Sequence, residues 1–167
     1  GFDVTYHDFA PGRTSVVARK GGSHDSPRLC FAGHIDTVPL GFNDWSVDPF
    51  GGDIVEDKLY GRGATDMKSG IASFVAAAMN LGDELLADPG VLLIMAAGEE
   101  TGCEGSLPLG QELAKAVRVG AMIIAEPTYN QPKIGHRGAL WLRMTTKGKT
   151  AHGSMPELGV NALYKAA

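Results

Sequence analysis

Four short segments of this chain carry side chains able to hold a metal ion or move a proton. Three share a layout, an apolar run followed at once by polar groups: Cys30-Phe31-Ala32-Gly33-His34-Ile35-Asp36, Ile94-Met95-Ala96-Ala97-Gly98-Glu99-Glu100, and Ile123-Ile124-Ala125-Glu126. The fourth, Gly61-Arg62-Gly63-Ala64-Thr65-Asp66-Met67-Lys68-Ser69-Gly70, sets Asp66 on a glycine-rich turn where backbone can come close to a ligand. One imidazole among several carboxylates is an unfavourable cluster, because like charges at short range raise each other's pKa. Cations relieve the repulsion. Two divalent ions would offset Asp66, Glu100, Glu126 and a bridging hydroxide while His34 stays neutral. With imidazole and carboxylate donors and no thiolate, the set suits catalytic zinc, cobalt or manganese better than a structural zinc knot.

Spacing then divides the roles. His34 and Asp36 are two apart, hence on one face if the strand continues, so Asp36 can accept the hydrogen bond from the ring nitrogen that does not face metal. Glu99 and Glu100 are adjacent and point different ways from extended backbone. Glu100 can therefore reach a metal while Glu99 acts as general base toward a metal-activated water. Taken singly, each residue has an ordinary reading: a packed or solvated histidine, a solvated glutamate pair, an aspartate capping a helix. Their joint placement after successive apolar runs favours the site. Trp45, Trp141 and Cys30 read as packing residues, and Lys147-Gly148-Lys149 as a solvated turn.

The elements that must position these groups are legible as an alternation of short apolar strands, glycine-rich turns and amphipathic helices. Residues 14–19, 28–32, 91–97 and 121–125 read as strands, the last two as continuous apolar runs buried on both faces. Ser69–Leu81 places Ile71, Phe74, Val75, Ala78 and Met79 at helical spacing, and 106–117 repeats the pattern more weakly. The expectation is an α/β fold with a mostly parallel sheet flanked by helices, in which ligands bind beyond the carboxyl ends of the strands. There His34, Glu99, Glu100 and Glu126 would converge. After Glu126 the texture changes, and residues 139–145 alternate apolar and polar as a half-exposed antiparallel strand does. We therefore divide the chain into a catalytic domain, 1–130, and the beginning of an α+β lid or dimerisation domain, 131–167.

Composition bounds the partners. The 167 residues are 44% hydrophobic and 20% charged, which excludes a disordered tail or a fibre. A net charge of -4 gives no basic excess for nucleic acid or an anionic membrane. No apolar run approaches the roughly 20 residues that span a bilayer. Two cysteines, Cys30 and Cys103, make no disulfide framework, so a soluble protein of a reducing, cytoplasmic compartment is expected. The chain opens within an extended segment and closes on a helix scarcely begun, which suggests a fragment of a longer protein.

Beyond these single residues, a set of motifs stands in order along the chain: Gly33-His34-Ile35-Asp36-Thr37-Val38-Pro39, Trp45 with Asp48-Pro49-Phe50, and Leu59-Tyr60 leading into the glycine-rich turn. Gly98-Glu99-Glu100-Thr101-Gly102, Glu126-Pro127-Thr128 and Gly148-Lys149-Thr150-Ala151-His152-Gly153-Ser154 follow. Together they resemble the co-catalytic zinc amidohydrolases, a family that includes acetylornithine deacetylase, succinyl-diaminopimelate desuccinylase and glutamate carboxypeptidase. The resemblance implies that Asp66 bridges two metals, that His34 and Glu126 complete one site and that Glu100 belongs to the other. It implies Glu99 as the base, a cis peptide at Asp66-Met67, and His152 reaching across a homodimer to polarise the scissile carbonyl. It also implies a last metal-binding histidine and a carboxylate-binding arginine. His7, His24 and His136 fit no motif, so neither group is assigned and the fragment itself is expected to be inactive. The expected activity is hydrolysis of the amide bond of a small N-acyl amino acid. A carboxypeptidase or dipeptidase of the same family is the alternative, and a non-catalytic metal-binding module the second.

Overall fold

The computed structural model describes residues 1–23, 25–84 and 88–167; His24 lies outside the described residues. Contacts divide the chain into two compact units, Gly1–Ile134 and Gly135–Ala167. In the first, strands β1 (Asp3–Ala10), β2 (Arg13–Lys20), β3 (Arg28–His34), β6 (Val91–Ala96) and β7 (Val119–Ile124) form one sheet in the order β1-β2-β6-β3-β7. A two-stranded ribbon, β4 (Ile54–Val55) with β5 (Lys58–Leu59), lies between β3 and β6 in sequence. Strands β6, β3 and β7 run parallel, whereas β2 is antiparallel to β6 and β1 to β2. The sheet is therefore mixed. The parallel core expected from the apolar runs carries an antiparallel hairpin on one edge, and the extended opening segment continues through to Ala10.

Two helices cover the two faces, α1 (Ser69–Leu81) and α2 (Ser106–Ala116). Side chains alternate across a strand, so neighbouring residues of one strand serve different helices. Ile71, Phe74 and Ala78 of α1 pack on Ala18, Val91 and Leu93, with the Phe74 ring 5.9 Å from that of Phe31. On the other face Leu109 of α2 and the following Val117 pack on Val17, Cys30 and Leu92. Each such burial removes enough apolar area to contribute about 1.5–3 kcal/mol for a large side chain. Strand β7 departs from the expectation of burial on both faces. All six of its residues are exposed, because it is an edge strand with β3 as its one neighbour, beyond the part of the sheet that the two core clusters cover.

The second unit holds an isolated bridge between Lys149 and Val160, a single helical turn at Pro156–Leu158 and the short α3 (Ala162–Ala166). Asn161 caps α3, its Oδ1 accepting the Leu163 N–H at 2.9 Å. Residues 139–145, expected as a strand, are not in one. Leu140, Leu142 and Met144 are as exposed as Trp141 between them, since alternation yields a strand only where a partner ladder and a core face are supplied. Among the described residues no helix is long and apolar enough to cross a membrane.

Candidate metal centre

The parallel register brings the strand ends level. Gly33 pairs with Met95 and His34 with Ala96, while Ala32 pairs with Ile124. The Ile35 N–H donates to the Ala96 carbonyl at 2.8 Å and the Ala125 N–H to the Ala32 carbonyl at 3.1 Å, so both ladders run to the rim. His34 thus stands between the loop that follows β6 and Glu126 just past β7. The Ala64–Lys68 turn that leads into α1 supplies Asp66, which has φ -113° and ψ 98° and is followed by a cis peptide to Met67. Asp66 does not cap α1, whose N-cap residue is Lys68 and which has no side-chain cap bond.

His34 is 2% exposed. Its Nε2 lies 3.1 Å from Asp66 Oδ1, 3.6 Å from Glu126 Oε1 and 4.0 Å from Glu99 Oε2. Ligand atoms of His34, Asp66 and Glu100 all lie within 4.8 Å of one another. His34 Nδ1 meets the main-chain carbonyl of Asp36 at 3.0 Å, while the Asp36 carboxylate stands off at 3.6 Å. The expected carboxylate bond to the ring is thereby replaced by a carbonyl bond, because β3 ends at His34 and Asp36 lies past the strand. A carbonyl only accepts, so Nδ1 carries the proton and the Nε2 lone pair is directed at the carboxylates. Two acceptors facing each other at that range need a proton or a cation between them.

The Asp36 carboxylate has a different task. It accepts the N–H groups of Gly98, Glu99 and Glu100 at 2.9, 3.0 and 3.1 Å, holding the turn that presents both glutamates. Burial alone would raise the Asp36 pKa, but the amides of Glu99, Glu100 and Asp36 itself, together with His34, outweigh it and hold the carboxyl below its ordinary value. Its neighbours move the other way. Glu100 is raised by burial and then by Asp66, partly offset by His34. Glu126 is raised by burial, with His34 opposing and Asp66, Glu99 and Glu100 adding to the rise. For His34, burial favours the neutral ring, yet the Asp36 carbonyl, Glu126, Asp66 and Glu99 together raise its pKa. Crowded carboxylates that hold on to protons, with a histidine that gains one, are the electrostatic signature of a site short of positive charge.

Whether a divalent ion fits can be judged from the donors themselves. Glu100 Oε1 is buried and has no hydrogen-bond partner, an unfavourable position for a carboxylate oxygen unless a cation takes the place of the missing donor. The donor set contains imidazole and carboxylate oxygen and no thiolate, Cys103 contributing only a hydrogen bond to Glu99 Oε1 at 3.8 Å. A cavity of about 600 Å³ opens beside Asp66 and Glu126, walled by Thr65, Ser69, Thr128, Tyr129 and Asn130, a size suited to a small organic substrate. His34, Asp66, Glu99, Glu100 and Glu126 thus converge at one rim with Asp36 beneath them. His152 belongs to the second unit, where it is exposed and its Nδ1 bonds Ser154 Oγ at 2.8 Å. One contributor escaped the reading of the sequence: the thioether sulfur of the buried Met67 receives the His34 N–H at 3.2 Å. Its signal was Gly33, where a Cβ would meet Met67 Cε at 2.6 Å.

The chain is 38% identical over 162 residues to a succinyl-diaminopimelate desuccinylase of Rhodospirillum centenum, spanning 92% of this chain and 42% of that one. It is 41% identical over 160 residues to succinyl-diaminopimelate desuccinylase 2 of Ruegeria sp., spanning 91% and 40%. The chain therefore spans less than half the length of these relatives. Among solved structures, human carnosine dipeptidase 1 matches with a TM-score of 0.61 at 25% identity, over 75% of this chain and 29% of its own. An M20 family metallo-carboxypeptidase from Sulfolobus solfataricus matches at 0.64 over 75% and 28%; at 22% identity that likeness speaks for the fold alone. The sequence profile of peptidase family M20/M25/M40 matches residues 30–164, and with that span covering most of its length the chain belongs to this family.

Proposed function

We propose that this chain carries the metal centre of a hydrolase that cleaves the amide bond of small N-acyl amino acids, of the deacetylase or desuccinylase type. The observation that carries the reading is the meeting of His34, Asp66 and Glu100, together with the buried, unpartnered Oε1 of Glu100 and Glu99 within reach of the same rim. His34, Asp66, Glu100 and Glu126 would hold two divalent ions, zinc before cobalt or manganese. Such ions supply Lewis-acid charge to the scissile carbonyl and lower the pKa of water. Glu99 takes the proton of the attacking water and passes it to the leaving nitrogen, so that a C–O bond forms as the C–N bond breaks. Asp36 keeps Glu99 in register through the three loop amides. The wall of Thr65, Ser69, Thr128, Tyr129 and Asn130 bounds the substrate in this unit. The part from 131 onward serves as the start of a lid or dimerisation domain, and His152 acts in a neighbouring subunit of a homodimer to polarise the carbonyl. The free thiols Cys30 and Cys103 support a cytoplasmic setting.

A dipeptidase or carboxypeptidase would use the same residues, and the likeness to carnosine dipeptidase 1 favours that second reading; the desuccinylase relatives, at higher identity, favour the first. A module that merely binds metal needs ligands but no base, and Glu99 argues against it. In this reading the 167-residue chain alone turns over little or no substrate, since the family's last metal-binding histidine is not assigned in it. The test is a full-length protein containing this segment, loaded with zinc and offered N-acetylornithine, N-succinyl-diaminopimelate and a panel of dipeptides. Glu99→Ala is expected to lower kcat by about 10²–10⁴-fold or more while metal content stays near that of the parent. Loss of metal together with turnover would make Glu99 a ligand and not the base.

A further inference from the structure

The loop bearing Glu99 and Glu100 is held from two sides, and one of them lies in front of residues 30–164, the span matched by the family profile. That side is the β1–β2 hairpin. Strand β2 pairs with β6 from Lys20 opposite Val91 to Val16 opposite Met95, and the ladder stops there. Ser15, the next residue of β2, is 1% exposed, and its Oγ accepts the Ala97 N–H at 3.0 Å. A side chain thus takes over where main-chain pairing ends, at the amide from which the loop departs. Phe9 of β1 supports the same loop. A Cβ on Gly98 would meet the Phe9 ring at 2.6 Å and one on Gly105 would meet it at 2.8 Å, so both ends of the loop rest on that ring without intervening side chains. Arg13 sits 5.1 Å from the Phe9 ring centroid. Its guanidinium lies 3.8 Å from the Glu104 carboxylate and 4.0 Å from that of Asp36, the residue that gathers the loop amides from the opposite side.

A buried hydroxyl that accepts a single amide is a small contact, yet its position gives it leverage. If the Ala97 amide loses its acceptor, the loop must re-aim to find another, and Gly98 to Glu100 swing with it. We infer that Ser15 is a positioning residue for Glu99 and Glu100, fixing through the Ala97 amide the direction in which their loop leaves the sheet. The hairpin ahead of the matched segment is then part of the scaffold of the metal centre. Its consequence for metal binding rests on the hydrolase reading above; its consequence for the loop does not.

The experiment uses the 167-residue chain and two variants, Ser15→Ala, which removes the acceptor without adding bulk, and Ser15→Thr, which restores a hydroxyl. Amide hydrogen exchange is read in the metal-free chain at residues 97–100 and, as a reference, at Val17 and Leu92 in the core. Cobalt(II) is then titrated and its visible absorption spectrum recorded. Ser15→Ala is expected to speed exchange at 97–100 by about tenfold or more with the reference amides unchanged, and to weaken cobalt binding with an altered spectrum. Ser15→Thr is expected to return both toward the parent. Unchanged exchange at 97–100, or an acceleration equal across loop and core that Ser15→Thr leaves in place, would overturn the assignment. A parent chain that binds no cobalt would overturn the metal reading, and the exchange data would still decide the role of Ser15.

Discussion

His34 joins the strand to the chemistry, and its two ring nitrogens answer to opposite demands. Nδ1 is committed as donor to the Asp36 carbonyl, so Nε2 faces Asp66 and Glu126 either with a proton or with a cation. Without metal, the folded state holds more protons than the unfolded chain, because His34, Glu100 and Glu126 all have raised pKa values. Stability linked to these groups is therefore present at acid pH and is lost as pH rises through their folded values, above 4.5 for the glutamates and above 6.5 for the histidine. Asp36 has the opposite sign: its contribution is present above 3.8 and is lost as pH falls through its lowered folded value. Urea unfolding of the metal-free chain between about pH 5 and about pH 8 is thus expected to show a falling midpoint, and saturating zinc to flatten or reverse the slope because the ion displaces those protons. A midpoint that rises with pH in the metal-free chain would contradict this account. The residue types were legible in the sequence because chemistry needs particular donors. The task of Asp36 was not, since a two-residue spacing cannot reveal that β3 stops at His34 and that the carboxylate turns to the Gly98–Glu100 amides.

At the scale of the element, the site depends on three parallel strands ending together and on a helix start pressed against the last of them. Gly70, at the beginning of α1, makes the contact. A Cβ there would meet the Ala125 carbonyl oxygen at 2.2 Å and Ala125 Cβ at 2.7 Å, one residue before Glu126. Gly70→Ala is expected to cost about 1–3 kcal/mol through overpacking, despite the better helix propensity of alanine, and to weaken zinc binding by moving Glu126. Gly110 in α2 has nothing within 4 Å of the same position. Gly110→Ala is therefore expected to be neutral or to stabilise by up to about 1 kcal/mol and to leave zinc affinity alone. Urea denaturation and zinc titration of both variants check the pair, and equal effects would contradict the packing argument. The period of apolar residues made α1 legible over Ser69–Leu81, and the apolar runs located β3, β6 and β7. Burial of β7 was misjudged because a continuous apolar run states what a strand can pack against and says nothing of whether a layer lies over it. Pairing of β2 with β6 is non-local and left little local trace, and of the local β1–β2 hairpin the sequence showed two extended segments without their pairing.

Over the whole molecule, Gly1–Ile134 contains the buried core and the cluster, while Gly135–Ala167 forms a unit of its own with little regular structure. The first was readable because each level agrees with the next: strand period, helix period, turn glycines and polar groups at the strand ends all specify one arrangement. The second was less so, since the apolar alternation of residues 139–145 needs partners that this unit does not supply. The central claim is that His34, Asp66, Glu100 and Glu126 exist to hold divalent metal. Crystals of the chain grown with zinc, with anomalous diffraction collected at the zinc edge, address it most directly. The account predicts anomalous density between His34 Nε2 and the carboxylates of Asp66 and Glu126 or Glu100, with Glu99 left free to meet solvent. Full occupancy elsewhere on the chain, with no anomalous density among these four side chains, would contradict it.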